Sequence, residues 1–515
     1  MTSWSSLLSS APATNAACLC ASTAKVAVRT SGTHTCSHES PISTPDRAGL
    51  SVANYLNLGS PGRNHPTASK RRRLLPPNTF NVALSVMRVC NQGRGSATFQ
   101  SVQSSRMRFG RVLPLVVGAL LAAGCVSPEK SSTATSTTRT AEATAVRQIV
   151  QEAMRTEHLK SVLVKVTVDG KEVLSEAFGE SMSGVPAHTD MHFRNGAVAI
   201  SYVSTLLLIL VDEGVVGLDD RLSTWLPDFP HAERVTLRQL AQMSSGYPDY
   251  VIGNEAFDAA LYADPFRQWE PEELLAFVTS RPLLYEPGTN WSYAHTNYVL
   301  LGMALTKATG EPMPKLLADK VLNPLGLTAT ANSDTPEIPQ PVLHAFTSER
   351  RESLAIPAGT PFYEESTYWN PSWTITHGAI QTTTIDDLAA TAAGIGSGRL
   401  LSEQSYREFT AGAMRGRSRP QPGCVTCAAM GEFYDYGLGI VISGDWLLQN
   451  PMFFGYAALQ AYLPSERIAV AVAVTFAPGA FDEDGNYPNA ADTVFRRIGA
   501  ELAPGHAPPM PPTTP

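Results

Sequence analysis

Apolar positions along the chain follow several distinct rhythms. Val146, Ile149, Val150, Met154 and Leu159 recur every three or four residues, a spacing that predicts a helix over 145–159. From Ser161 the period becomes two. Val162, Val164 and Val166 alternate with polar residues, Asp169-Gly170 interrupts them, and a second run reaches Phe178, which predicts a β-hairpin. The stretch from Phe193 to Gly217, FRNGAVAISYVSTLLLILVDEGVVG, is apolar on all sides between Leu206 and Val211, so a helix here belongs inside a protein. Asp212-Glu213-Gly214 stops it. Thr236 is placed to cap a short helix over 235–243, and the loop Ser244-Ser245-Gly246-Tyr247-Pro248-Asp249-Tyr250 follows. Residues 255–283 read as helical and surface-facing. Tyr298, Leu300, Leu301, Met303 and Leu305 begin a second core helix that Gly310 ends. Residues 321–328 read as a turn and 331–372 as irregular.

Thr384 caps a helix over 384–393. Strands are expected at 436–442, 458–463 and 468–475, the last almost wholly apolar and therefore central. A helix over 490–502 and a proline-rich, disordered tail over 504–515 close the chain. One early hairpin, a helical middle and late strands fit an α/β (α+β) fold. An antiparallel sheet would join the two chain ends, flanked by helices, with a helical subdomain, all within 145–503.

Charge divides the chain. Residues 1–124 hold thirteen Lys and Arg against Glu39 and Asp46, whereas 125–515 hold 26 against 44 acidic residues. The acidic part offers no basic face to a phosphate backbone, so nucleic acid is not an expected partner. At the junction, MRFGRVLPLVVGALLAAGC from Met107 carries Arg108 and Arg111, then an apolar core, then small residues before Cys125. This is the layout of a secretory signal over 107–124. Its ending resembles a bacterial lipoprotein box, which implies cleavage before Cys125, lipid on its sulfur and anchoring to the outer face of the cell membrane. An ordinary signal peptide or a short membrane anchor is the other reading. Residues 125–144, rich in Ser and Thr, read as a tether. A signal cannot act behind a long leader, so 1–106 is read as upstream of the true start at Met107, or else as a disordered basic extension.

Three cysteines follow the signal. Cys424 and Cys427 form a C-x-x-C between Pro/Gly-rich flanks. In an exported chain this favours a small disulfide loop over free thiols, or over a metal or redox centre. No further ligands stand at metal-site spacing, and no cofactor is implied.

An ordered set of segments resembles one family. Phe193-Arg194-x-Gly196, LVDEG…LDD at 210–220, VTLRQLAQMSSGYPDY at 235–250 and PGTNWSYAHTNYVLLG at 287–302 belong to it. So do HGAIQTTTIDDLA at 377–389, LLSEQSYREF at 400–409 and YGLGI at 436–440. Together they are similar to the serine β-lactamase and penicillin-binding-protein superfamily, in its class C, DD-peptidase and esterase branch. The resemblance implies three catalytic elements: Ser-x-x-Lys at a helix start, Tyr-x-Asn, and His/Lys-Thr-Gly on a strand.

Here the first element aligns as Ala197-Val198-Ala199-Ile200, so nucleophile and base are both replaced. The second aligns as Tyr293-Ala294-His295, and the third falls near Gln449-Asn450-Pro451 before Gly455-Tyr456. Ser201 and Ser204, deeper on the same helix, are expected to bond within its packing. Lys160, Lys165, Lys171, Lys307, Lys315 and Lys320 lie away from the motifs. Tyr293, His295, Ser245 and Tyr456 are the pocket candidates, with Ser244 and Ser245 expected to hold a turn. His295 is either a base or a hydrogen-bonding wall residue. The expected function is a non-catalytic envelope lipoprotein that binds or scaffolds a peptidoglycan fragment, a peptide or an envelope protein. The alternative is a diverged esterase, amidase or peptidase using relocated residues such as His295 and Tyr293.

Overall fold

The structure, a computed structural model, describes residues 131–376 and 380–511. The basic leader, the signal segment, Cys125 and His377-Gly378-Ala379 lie outside the described residues. Helix α1, Ser131–Thr156, precedes the hairpin of β1, Leu159–Val168, and β2, Lys171–Met182. Asp169 and Gly170 turn it, both at positive φ, 51° and 70°. The apolar helix α2 spans Ala199–Asp212 and α3 spans His295–Thr309. Then come α4, Ile385–Gly396, and β3, Trp446–Gln449. Next are β4, Tyr456–Leu463, and β5, Ile468–Phe476, and finally α5, Ala490–Leu502.

These strands belong to a nine-stranded sheet among the described residues, in which Met452–Phe453 pairs with β4 off the main path. From the Val185–Pro186 edge the order runs β2, β1, β5, β4, β3, then Val441–Ser443 and Asp435–Tyr436. The chain ends meet in its centre, where β1 pairs antiparallel with β5 through Val162 opposite Val474 and Val164 opposite Val472. Both β4 and β5 are buried along their whole length. Alternation explains how: Trp446 packs on Phe495 of α5, whereas Tyr462, opposite its neighbour Leu447, lies against α4. Helices α1 and α5 cover one face, and α4 covers the other, with α2 packed on α4.

Several expectations are corrected by this architecture. The first helix begins at Ser131, so the part of the expected tether from Ser131 on is helical. Ala143 and Val146 already face the core, and the Thr144 hydroxyl donates to the Thr140 carbonyl within the helix. Residues 255–283 form two short helices, Glu255–Ala263 and Pro271–Ala276. They lie at the surface as expected and bury one face, through Phe257 and Leu274, with Trp269 buried between them. Residues expected as a turn at 321–328 are partly helical, through Ala318–Leu322 and Asn323–Leu325, because Val321, Leu322 and Leu325 are buried. The strand expected at 436–442 is broken at Gly439, whose φ is 77°.

The proline-rich tail is docked through its described part. Trp446 Nε1 donates to the His506 carbonyl at 2.7 Å, and Arg496 donates to the Pro509 carbonyl. Proline-rich backbone makes no internal hydrogen bonds, so its carbonyls are open to such donors. Truncation after Ala503 removes one neutral and one charge-assisted bond. It is expected to lower the unfolding free energy by about 2–4 kcal/mol in denaturant titration. An unchanged midpoint would mean that the tail contributes nothing.

Candidate functional site

The entrance to α2 is built from close approaches. Phe193–Arg194 pairs with Gln381–Thr383, and a single 3-10 turn over Gly196–Val198 leads into the helix. Gly196 has φ 54°, and a Cβ there would stand 3.1 Å from Pro451 and 3.2 Å from Phe453. Only glycine serves both demands. That contact brings the first and third aligned elements together, since the turn packs against Met452–Phe453 and β4. Arg194 is buried behind the turn, donating to Ser333 Oγ at 2.7 Å and the Thr335 carbonyl at 3.0 Å. Burial lowers its guanidinium to about 10.

Ala197 is half-buried and Ile200 is 1 % exposed, within the main apolar core. The two serine hydroxyls further along α2 are held in its packing. Ser201 Oγ donates to the Val198 carbonyl at 2.7 Å, and Ser204 Oγ shares a 2.7 Å bond with Tyr298 Oη, which donates onward to the Ala241 carbonyl. Helix α2 ends as its sequence suggests, with Gly214 at φ 72° and Val215 N–H donating to the Leu210 carbonyl.

His295 opens α3, three residues before the expected start. Its backbone N–H is capped by Asp249, which also faces the ring Nδ1 at 3.0 Å. The cap comes from a distant loop, so no local signal marked it. Three aromatic rings surround His295: Tyr293 at 5.2 Å, Trp373 at 5.8 Å and Tyr250 at 5.9 Å. Trp373 in turn stacks flat on Phe453 at 5.7 Å. Tyr293 is half-buried, so it and Ala197 are the aligned positions with the most access to solvent, with Asn450.

The other candidates serve the scaffold. Ser245 is fully buried and donates to Asn297 Oδ1 while accepting from Tyr247 N–H, a turn-holding role. Tyr456 Oη donates to the Leu343 carbonyl at 2.6 Å. Gln449 Nε2 donates to the Gly439 carbonyl at 2.8 Å, and Asn450 Nδ2 donates to Asp492 at 3.0 Å, part of the buried Asp492–Arg496 pair. Cys424 and Cys427 are joined as a disulfide. Their loop lies beside Tyr293, because Cys427 bridges to Ser292 and Thr426 Oγ1 bonds Ser292 Oγ at 2.6 Å. No group of three or more metal-ligating side chains occurs among the described residues. Asp249 and Trp373 were not singled out by sequence; nothing in their spacing links them to His295.

A sequence profile described as Beta-lactamase matches residues 146–495. The chain belongs to the beta-lactamase family. Among curated members of similar sequence, penicillin-binding protein 4 of Amycolatopsis lactamdurans is 32% identical over 186 residues, covering 34% of this chain and 46% of that protein. Esterase EstB of Burkholderia gladioli is 27% identical over 191 residues, 35% of this chain and 48% of that protein. The D-alanyl-D-alanine-carboxypeptidase/endopeptidase AmpH of Escherichia coli (strain K12) is 27% identical over 179 residues, 33% and 45% respectively. The chain thus spans less than half the length of each of these relatives. Of solved structures, D-amino acid amidase from Ochrobactrum anthropi SV3 with D-phenylalanine superposes with a TM-score of 0.58 at 21% identity. It covers 70% of this chain and 99% of the amidase. The octameric penicillin-binding protein homologue from Pyrococcus abyssi gives 0.55 at 20% identity, covering 71% and 79%. The beta-lactamase and penicillin-binding-protein fold of a serine hydrolase is therefore present.

Near the His295 wall, the Asp258 carboxyl is pushed up to about 7, first by burial and then by the charges of Asp249, Glu255 and Glu352. An acid raised in the folded state favours folding fully below its unfolded value of 3.8, and that advantage is lost as pH rises through about 7. Asp258→Asn stays neutral throughout. Its melting temperature is expected to gain on the wild type progressively from about pH 4 to pH 8. A gap independent of pH would contradict the assigned shift.

Proposed function

We propose that the protein is a lipid-anchored envelope member of its family. In this reading it keeps the fold as a ligand-binding or scaffolding module and does not turn over esters or amides through an acyl-serine. One observation carries this reading: the aligned nucleophile and base positions hold Ala197 and Ile200, and Ile200 sits in the apolar core. A methyl group has no lone pair to attack a carbonyl, and an isoleucine cannot take a proton. The hydroxyls of Ser201 and Ser204 are committed within the packing of α2. Export and anchoring rest on the signal-like segment from Met107 to Cys125. No helix among the described residues is long and apolar enough to cross a membrane. Relatives named as penicillin-binding and D-alanyl-D-alanine-cleaving proteins support a peptidoglycan fragment or peptide as ligand, with an envelope protein as the other partner class.

Incubation of the full chain with a fluorescent penicillin is expected to leave it unlabelled after denaturing electrophoresis. A covalent band mapped to any residue of 145–503 would overturn the non-catalytic reading.

The Asp249–His295 contact favours a second reading, a hydrolase in which His295 activates water directly. It predicts slow turnover of p-nitrophenyl acetate that falls to the buffer rate in His295→Ala and persists in Ser201→Ala. Equal rates in wild type and His295→Ala remove it.

A further inference from the structure

The docked tail lies in a groove at one end of the sheet. Its floor is the C-terminal part of α5, and its rims are the turn Gly444-Asp445 before β3 and the turn 464–467 between β4 and β5. Trp446 Nε1 donates to the His506 carbonyl at 2.7 Å, and Arg496, 1 % exposed, donates to the Pro509 carbonyl. Pro508 is buried over Gly499, where a Cβ would stand 2.6 Å from the proline Cγ and 3.3 Å from the Trp446 ring. Pro509 lies against Gly444, where a Cβ would stand 3.0 Å from its Cδ. Ala507, at φ −55° and ψ 129°, is close to polyproline II.

The groove has the parts of a proline reader. A polyproline II chain keeps its carbonyls unbonded and is already extended, so an aromatic-lined groove takes it at little entropic cost. Gly499 sits inside α5, where glycine weakens a helix relative to alanine, and Pro508 occupies the space it leaves. Charge gives the groove a direction. His506 Nδ1 stands 2.7 Å from Asp445 Oδ2, and its Nε2 stands 3.9 Å from Glu466 Oε1. Both carboxylates are exposed, so this end of the groove is acidic.

We propose that the groove is a docking site for a proline-rich segment of a partner protein with the pattern basic-x-Pro-Pro, and that the tail is its internal competitor. The basic side chain takes the place of His506 between Asp445 and Glu466, and the two prolines take the places of Pro508 and Pro509. An arginine at the first position is always charged, which suits two carboxylates. The tail of a second copy fits less well. Only Pro504 and Gly505 separate buried Ala503 from docked His506, so two copies would have to bring their α5 ends side by side. Trp446 begins β3 and Gln449 ends it, so the groove lies at the other end of that strand from the aligned third element. The proposal therefore does not depend on the state of the catalytic positions.

The test uses the full chain carrying Pro508→Asp, which places a charge where the ring is buried and so frees the groove. Circular dichroism checks its fold, and truncation after Ala503 supplies a second tail-free form. A fluorescein-labelled peptide of residues 506–511 with His506→Arg is expected to bind both forms in anisotropy titration. The wild type, with its tail in place, should bind at least about thirtyfold more weakly, the factor that corresponds to the tail's two hydrogen bonds. Adding Gly499→Val fills the Pro508 seat and should abolish binding. Adding Trp446→Phe keeps a ring, removes the donor, and should weaken binding about three- to tenfold. The peptide with His506→Glu should bind at least about threefold more weakly than the arginine peptide, a gap that closes with added salt.

No binding to either tail-free form, or binding unchanged by both Gly499→Val and Trp446→Phe, overturns the docking site. Equal affinity for the arginine and glutamate peptides overturns the basic-x-Pro-Pro pattern. A concentration-dependent wild-type dimer that Pro508→Asp abolishes would assign the groove to tail exchange between copies, and would overturn the partner protein as its occupant.

Discussion

Helix α2 has no polar face, and that single property constrains the rest of the molecule. Of its fourteen residues, all but Ile209, Val211 and Asp212 are buried. Such a helix must be enclosed on every side, and each buried leucine or isoleucine contributes about 1.5–3 kcal/mol on leaving water. Helices α3 and α4 and the segment carrying Tyr406 supply the enclosure. Once α2 is so held, the 3-10 turn at its entrance, Gly196–Val198, packs against Pro451 and Phe453. The same enclosure continues through Ile200, which is 1 % exposed.

The wall facing that turn is tied together by buried polar and aromatic contacts. Asp249 reaches across to cap α3 and to hold the His295 ring, while Trp373 and Phe453 stack beside it. The loop closed by Cys424 and Cys427 fastens the segment that carries Tyr293 through Ser292. Asn450 is drawn toward the Asp492–Arg496 pair, which also receives the docked tail. The result is a wall of defined donors and acceptors held by buried partners.

How much of this could be read from sequence depends on how local each cause was. The hairpin around Asp169-Gly170, the core helix α2 with its Gly214 stop and the apolar strand β5 were legible, because period and turn residues lie within a few positions of each other. The start of α3 was not, since its cap stands on the Asp249 loop. The aligned positions Ala197 and Ile200 were legible through the family pattern, yet Ser245 and Tyr456 read as pocket residues and are bonded into the scaffold. Proline content marked the tail as disordered, whereas Trp446 and Arg496 hold it, a tertiary cause without a sequence period.

The central claim is that the reactive end of α2 has become core. Substituting Ile200→Lys and measuring the unfolding free energy tests it most directly. The account predicts a loss of about 3 kcal/mol or more, because an ammonium would be placed in the apolar core without a carboxylate partner. Stability within about 0.5 kcal/mol of wild type would show that the position still offers a lysine the polar surroundings of a working site, and would contradict the account.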